Sequence, residues 1–323
     1  MSDQTTLELR ELGKTGLKVS PIGLGMMEFS GGGGLLGRAF PLISQEDKNA
    51  IVKAALDGGM NWFDTAEMYG MGVSEYSTAQ ALKANGKSDG DVLVATKWFP
   101  LLRTARSIPR TIDTRLRFLD GFSIGLYMIH QPWSFSSPEA EMDAMAVLYQ
   151  AGKIRSVGVS NFSPERMRRA HAALQKHGIP LAVNQVRFSL LSREIERNGV
   201  LDTAKELGVT IIAYTPLASG LLSGKYHQNP ELINSKNGFY RAMIQRNIAS
   251  SRPLIQAMEE IAARYPGANC AQVALNWVIH VHGSSVVTIP GATKVSQARD
   301  AAAAMHFKLS QAEIDRLSQL SHQ

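Results

Sequence analysis

The chain has 323 residues, 44% of them hydrophobic and 19% charged, a globular balance that supplies a sizeable core without being membrane-like. Its formal charge of +6 comes from scattered Lys and Arg, so no nucleic-acid partner is expected, and short clusters such as Arg166, Arg168 and Arg169 read as a solvated helix face. A single cysteine, Cys270, excludes an internal disulfide, and with neither a basic leader nor an apolar run near the ~18 residues of a spanning helix, a cytoplasmic protein with no membrane partner is expected.

The opening segment, residues 7–20, reads as two short strands around Gly13 and Gly16, a hairpin able to close one end of a barrel. From there, short β-branched or apolar runs alternate with longer amphipathic stretches. Strands are predicted over residues 21–26, 60–64, 92–97, 124–130, 155–160, 181–185, 209–214 and 286–290. Helices are predicted over 44–57, 74–84, 108–119, 137–150, 164–177 and 194–207, with one long helix over 253–280. Ser163 before Pro164 is an N-cap with proline at the first helical position, while Asp57-Gly58-Gly59, Ala151-Gly152 and Leu207-Gly208 are helix stops. About eight strand and helix units close naturally into a parallel barrel. No linker of biased composition interrupts them, so residues 1–323 are expected to form a single domain. Residues 225–252, with Asn229-Pro230 and Asn237-Gly238, read as a long loop near the site.

In such a barrel the reactive groups stand at the carboxyl ends of the strands. The second predicted strand ends on Asp64 and is followed closely by Tyr69; the third ends on Lys97, the fourth on His130. Singly, each has an ordinary structural explanation: a cap, a turn aromatic, a paired lysine, a satisfied core histidine. Together they form a set suited to proton transfer. A phenol is a weak acid, with a reference pKa of about 10, and a nearby ammonium eases loss of its proton. Lys97 is expected to act so on Tyr69, Asp64 to hold Lys97, and His130 to point a ring N–H at a carbonyl oxygen.

The segments FDTAEMYGMGVSE, ATKW, YMIHQP, YQAGKIRSVGVSNF, VNQV, AYTPLASGLLSGKY and IPGATKVSQARDAAAA, in this order, resemble the motifs of the aldo-keto reductases. The resemblance covers almost the whole chain. It implies a (β/α)8 TIM barrel with an N-terminal β-hairpin closing the barrel bottom, an extended NADPH, with NADH as the alternative, and reversible reduction of a small-molecule aldehyde or ketone. It makes Tyr69 the acid/base and Asp64, Lys97 and His130 its support. Ser160, Asn161 and Gln185 would bond the nicotinamide carboxamide, and Tyr214 would stack on its ring. Pro216, Leu217, Gly220, Leu222, Gly224 and Lys225 fall in the loop resembling the pyrophosphate belt; Gly291, Thr293, Lys294, Gln297 and Asp300 fall at the adenosine end. A regulatory alternative, a redox sensor like the potassium-channel β subunits, is also open to a chain of this family.

Two departures bear on the cofactor. Asp300 is followed by Ala301 where related sequences commonly have Asn, and Gln297 stands where an Arg is frequent, which leaves Lys294 as the cation for a 2′-phosphate. Two other motifs compete. Gly32 to Gly37 fit G-x-G-x-x-G, but Pro41 cuts short the helix that should follow, so a flexible loop at the site mouth is expected. Tyr149 and Lys153 fit Tyr-x-x-x-Lys, but Gly152 between them ends the helix. Met26, Met27, Phe29, Trp98, Trp133 and Phe135 are expected to wall a broad apolar substrate pocket, and the long C-terminal loop of some relatives is not expected after Leu317. Whether it works as a monomer or a homodimer is not legible.

Overall fold

The computed structural model describes residues 7–32, 42–235 and 238–321. Among them, β1 (Arg10–Glu11) and β2 (Lys18–Val19) pair antiparallel as the expected hairpin. A parallel sheet follows: β3 (Leu24–Gly25), β4 (Trp62–Asp64), β5 (Leu93–Trp98), β6 (Leu126–Ile129), β7 (Val157–Ser160), β8 (Leu181–Arg187), β9 (Thr210–Tyr214) and β10 (Val286–Thr288). Bridges Ile22 to Thr288 and Gly25 to Gly291 join its first and last strands, so the sheet closes into the expected (β/α)8 barrel.

Side chains alternate across each strand, and this sorts the core into two layers. Trp62, Leu93, Ala95, Met128, Val183, Ile212 and Val287 fill the barrel, and Leu12 and Val19 of the hairpin join them. Phe63, Val94, Trp98, Ile129, Val159 and Ile211 face the helices. The hairpin seals the amino ends of the strands. Gly13 N–H donates to Thr210 Oγ1 at 2.8 Å, and the Arg10 guanidinium bonds Val286 O. The candidate chemistry, Asp64, Lys97 and Gln185, stands toward the opposite end.

Three predicted elements need correction. The long helix over 253–280 is two, Arg252–Ala262 and Cys270–His280, because Pro266-Gly267 breaks the first and Asn269 starts the second through a capping box with Gln272. The helix over 194–207 is a 3-10 turn, Glu194–Glu196, and a helix, Val200–Leu207, divided at Gly199, where φ is 82°. Residues 225–252 are not a bare loop: helix Lys225–Gln228, a 3-10 run Pro230–Ser235 and helix Gly238–Ile248 occupy it. Helices Val295–Ala303 and Gln311–Leu320 follow the barrel; the second begins at a Ser310 and Glu313 capping box.

Two of the basic cluster lie on the helix surface, Arg168 paired with Glu206 at 2.5 Å and Arg169 with Glu139 at 2.7 Å, whereas Arg166 departs from the expected solvated face: its guanidinium packs over the Phe162 ring at 4.9 Å, 3.8 Å from buried Glu141. Gly152, at φ 70°, ends helix Pro138–Gln150, and Lys153 beyond it pairs with Asp113, so Tyr149 and Lys153 share no helix. Cys270 is buried in the core, and burial pushes its thiol up to about 11. The glycine run lies outside the described residues, apart from Gly32.

Candidate active site

Asp64, Lys97, Ser160, Gln185 and Tyr214 all come from the carboxyl halves of successive strands, on the parity that faces the barrel interior. His130 follows β6 on the same parity. Lys97 Nζ lies 2.5 Å from Asp64 Oδ2 and donates to Thr65 O at 2.8 Å. Gln185, across the barrel on β8, donates from Nε2 to Asp64 Oδ1 at 3.0 Å. Both carboxylate oxygens are thus occupied, which fixes Lys97 in one place. Burial pushes Asp64 up and Lys97 down, while the charge of each opposes the shift of the other.

Tyr69 reaches this group from the turn after β4. Lys97 Nζ stands 5.1 Å from the centre of its ring, and the imidazole of His130 meets it edge-on at 5.6 Å. The turn is held by local bonds: Thr65 Oγ1 donates to Ser74 Oγ, and Ser74 Oγ to Met26 O. Gly72, at φ 104°, could carry no Cβ, which would lie 2.4 Å from the Phe118 ring. Glu67 accepts two bonds of 2.9 Å from Arg103 and one from Phe99 N–H at 3.0 Å, tying this turn to the loop after β5.

The electrostatics differ from the sequence expectation in one respect. Protein packed around the Tyr69 hydroxyl pushes the phenol well above the tyrosine range, and Asp64, Glu28 and Tyr214 add to the rise. Tyr69 is therefore held protonated in the resting protein, as the acid. Burial, then Lys97, holds His130 well below the histidine range, so it is a neutral imidazole. Its Nδ1 is buried and makes no hydrogen bond among the described residues.

Ser160, Asn161, Gln185 and Tyr214 form one connected patch. Ser160 Oγ donates to Gln185 O at 2.8 Å, Asn161 Nδ2 to Gln131 Oε1 at 3.1 Å, and Tyr214 OH to Asn161 Oδ1 at 3.1 Å. Asn161, at φ 59°, takes the left-handed conformation that asparagine tolerates, which turns its amide into the mouth of the barrel. Beyond Tyr214 the chain coils through Pro216, Leu217 and the 3-10 run Ala218–Ser223, with Gly220 and Gly224 at positive φ. Leu222 buries its side chain in the outer core, leaving only its backbone to meet a ligand. Lys225 lies over the Tyr226 ring at 5.0 Å. After β10, Gly291 and Lys294 are exposed, Gln297 Oε1 accepts from Thr293 N–H at 2.7 Å, and Asp300 is half-buried.

The expected apolar walls divide. Met26, Phe29 and Trp98 are fully buried in the outer core, and Trp98 Nε1 donates to Ser107 Oγ there. Strand alternation requires this of Trp98, since Lys97 beside it faces inward. Met27 is half-buried, whereas Trp133 and Phe135 are 55% and 70% exposed. Sequence reasoning also passed over Gln131, Phe99, Arg187 and Glu28. Arg187, at the open end of β8, lies 6.0 Å from the Tyr214 ring. Its inward parity marked it; Glu28, a lone acid in a turn, carried no signal.

The aldo/keto reductase family pattern matches residues 21–322. The chain is 31% identical over 310 residues to the chloroplastic pyridoxal reductase of Arabidopsis thaliana, covering 92% of this chain and 82% of that protein. A thermostable aldo-keto reductase solved with the inhibitor epalrestat superposes with a TM-score of 0.78 at 29% identity, covering 97% of this chain and 99% of that one. An aldo-keto reductase from Klebsiella pneumoniae in complex with NADPH gives 0.73 at 25%, covering 97% and 96%. The chain belongs to the aldo/keto reductase family of oxidoreductases.

Proposed function

We propose that this chain reduces an aldehyde or ketone to an alcohol, reversibly, with NADPH as the preferred cofactor. The observation that carries the proposal is the buried Asp64 and Lys97 pair set beneath Tyr69 and His130. A bound nicotinamide supplies the hydride. Tyr69, held protonated, donates its proton to the carbonyl oxygen, and neutral His130 offers an N–H to the same atom as negative charge develops. Lys97 stabilises the phenolate that Tyr69 becomes, and Asp64 with Gln185 keeps the ammonium from turning away. Ser160 and Asn161 orient a carboxamide, and Tyr214 provides a flat face for the ring.

The fit to a dinucleotide rests on residues of this chain: the Tyr214 face, the strand-end amides and an open Gly291 to Lys294 segment all border one mouth. Lys294 supports NADPH over NADH, since a 2′-phosphate needs a positive partner. Lys294→Met should weaken NADPH about tenfold and leave NADH unchanged. Trp133 and Phe135, with exposed Leu101 and Leu102, support a hydrophobic or bulky carbonyl substrate. A relative named for pyridoxal, an aromatic aldehyde, agrees with that class. A panel of aromatic and aliphatic carbonyls assayed with both cofactors tests the proposal: oxidation of NADPH with aromatic aldehydes is expected. Cofactor binding with no turnover across the panel would favour the redox-sensing alternative.

A further inference from the structure

Glu28 stands in the 3-10 turn Met27–Ser30, just after β3, where the barrel closes on itself. Its Oε2 is shut off from water and has no hydrogen-bond partner among the described residues. The carboxylate rests on the bare Cα of Gly291: a Cβ there would lie 2.3 Å from Oε2 and 2.4 Å from Oε1. The negative charge of Glu28 is felt at Tyr69. Glu28 thus lies between the proton donor and the Gly291 to Asp300 segment, on the path a dinucleotide would follow, and the mechanism leaves it without a role.

The described charged groups around it are otherwise engaged. Lys48 Nζ, over the Phe29 ring, bonds Ser77 Oγ; Glu75 on helix Val73–Ala84 is tied to Arg115 and Thr96; Asp64 is paired with Lys97. Tyr69 stays neutral, and Lys294 is exposed to solvent. Burial pushes the Glu28 carboxyl up to about 7.

We infer that Glu28 couples cofactor binding to proton uptake: the phosphate-bearing dinucleotide, passing Gly291, enters with the Glu28 carboxyl group in its neutral, protonated form. The inference rests on the cofactor reading above. A half-buried carboxylate with one oxygen shut off from water cannot keep its charge cheaply beside diphosphate oxygens, because two anions in a poorly solvated site drive protonation of the more basic one. Once neutral, it can donate its O–H to a phosphate or ribose oxygen. Affinity for the cofactor should then fall as pH rises.

Calorimetric titration of the purified protein with NADPH, in buffers of differing ionisation enthalpy, reads the protons taken up. At about pH 8, wild type is expected to take up about one proton more than Glu28→Gln and to bind about tenfold more weakly, with both differences vanishing near pH 6. Equal proton uptake in the two proteins, or weaker binding by the variant at every pH, would overturn the inference while leaving the cofactor reading intact. Failure of both proteins to bind NADPH or NADH would overturn both.

Discussion

Lys97 and Asp64 meet across neighbouring strands at 2.5 Å, with side chains only 0% and 2% exposed. Such a pair contributes little net stability, because desolvation offsets attraction, but losing one partner strands the other. Lys97→Met should cost about 3–5 kcal/mol in denaturant unfolding. Adding Asp64→Asn should restore much of that stability and none of the turnover. A double variant that recovers turnover would remove Lys97 from the chemistry.

His130 is expected to act as a neutral donor. Its imidazole is held well below the usual histidine range, so kcat should show no step of its own between about pH 5 and 8. His130→Gln should lower kcat by about 10²–10³. The ratio of the two rates should stay flat with pH; a ratio that bends near neutrality would mean that the imidazole is charged in the working enzyme.

Tyr214 joins two roles, a stacking face and a hydroxyl bonded to Asn161 Oδ1. Quenching of tryptophan fluorescence by NADPH separates them. Tyr214→Ala should weaken binding up to about tenfold, and Tyr214→Phe only a few-fold. Unchanged binding in the alanine variant would count against stacking.

Glu28 also bears on stability without any ligand. Burial pushes its carboxyl in the folded protein up to about 7, so the folded state favours the neutral form. That contribution is fully present below the unfolded pKa near 4.5 and is lost as pH rises toward 7. Glu28→Gln should therefore be more stable to unfolding than wild type at about pH 8, by on the order of 1–3 kcal/mol, with no gain at about pH 4. A gain that is the same at both pH values would show that titration of Glu28 is not its source.

The barrel and the inward strand-end residues were legible because a parallel strand alternates its faces and carries its chemistry at one end. Asp64, Lys97, His130 and Gln185 announce themselves as polar residues in apolar runs. The same alternation, applied to Trp98, would have sent it to the helix layer; reading it as pocket wall ignored parity. The Pro266-Gly267 break and its capping box were equally visible and were outweighed by the apolar periodicity on both sides. What no local pattern carries is contact between distant segments. The Gln185 bond to Asp64 spans 121 residues, and Glu28 gains its character only because Gly291, 263 positions later, lies beneath it. The direction of the Tyr69 shift has the same origin: it comes from burial of the hydroxyl and from Asp64, Glu28 and Tyr214, groups that only the fold brings together.

The central claim is that Tyr69 delivers the proton. The most direct measurement is single-turnover reduction of an aromatic aldehyde by Tyr69→Phe saturated with NADPH, alongside its NADPH affinity. Affinity should stay near that of wild type, and the rate should fall by about 10²–10⁴. Full turnover with the phenylalanine variant would contradict the account.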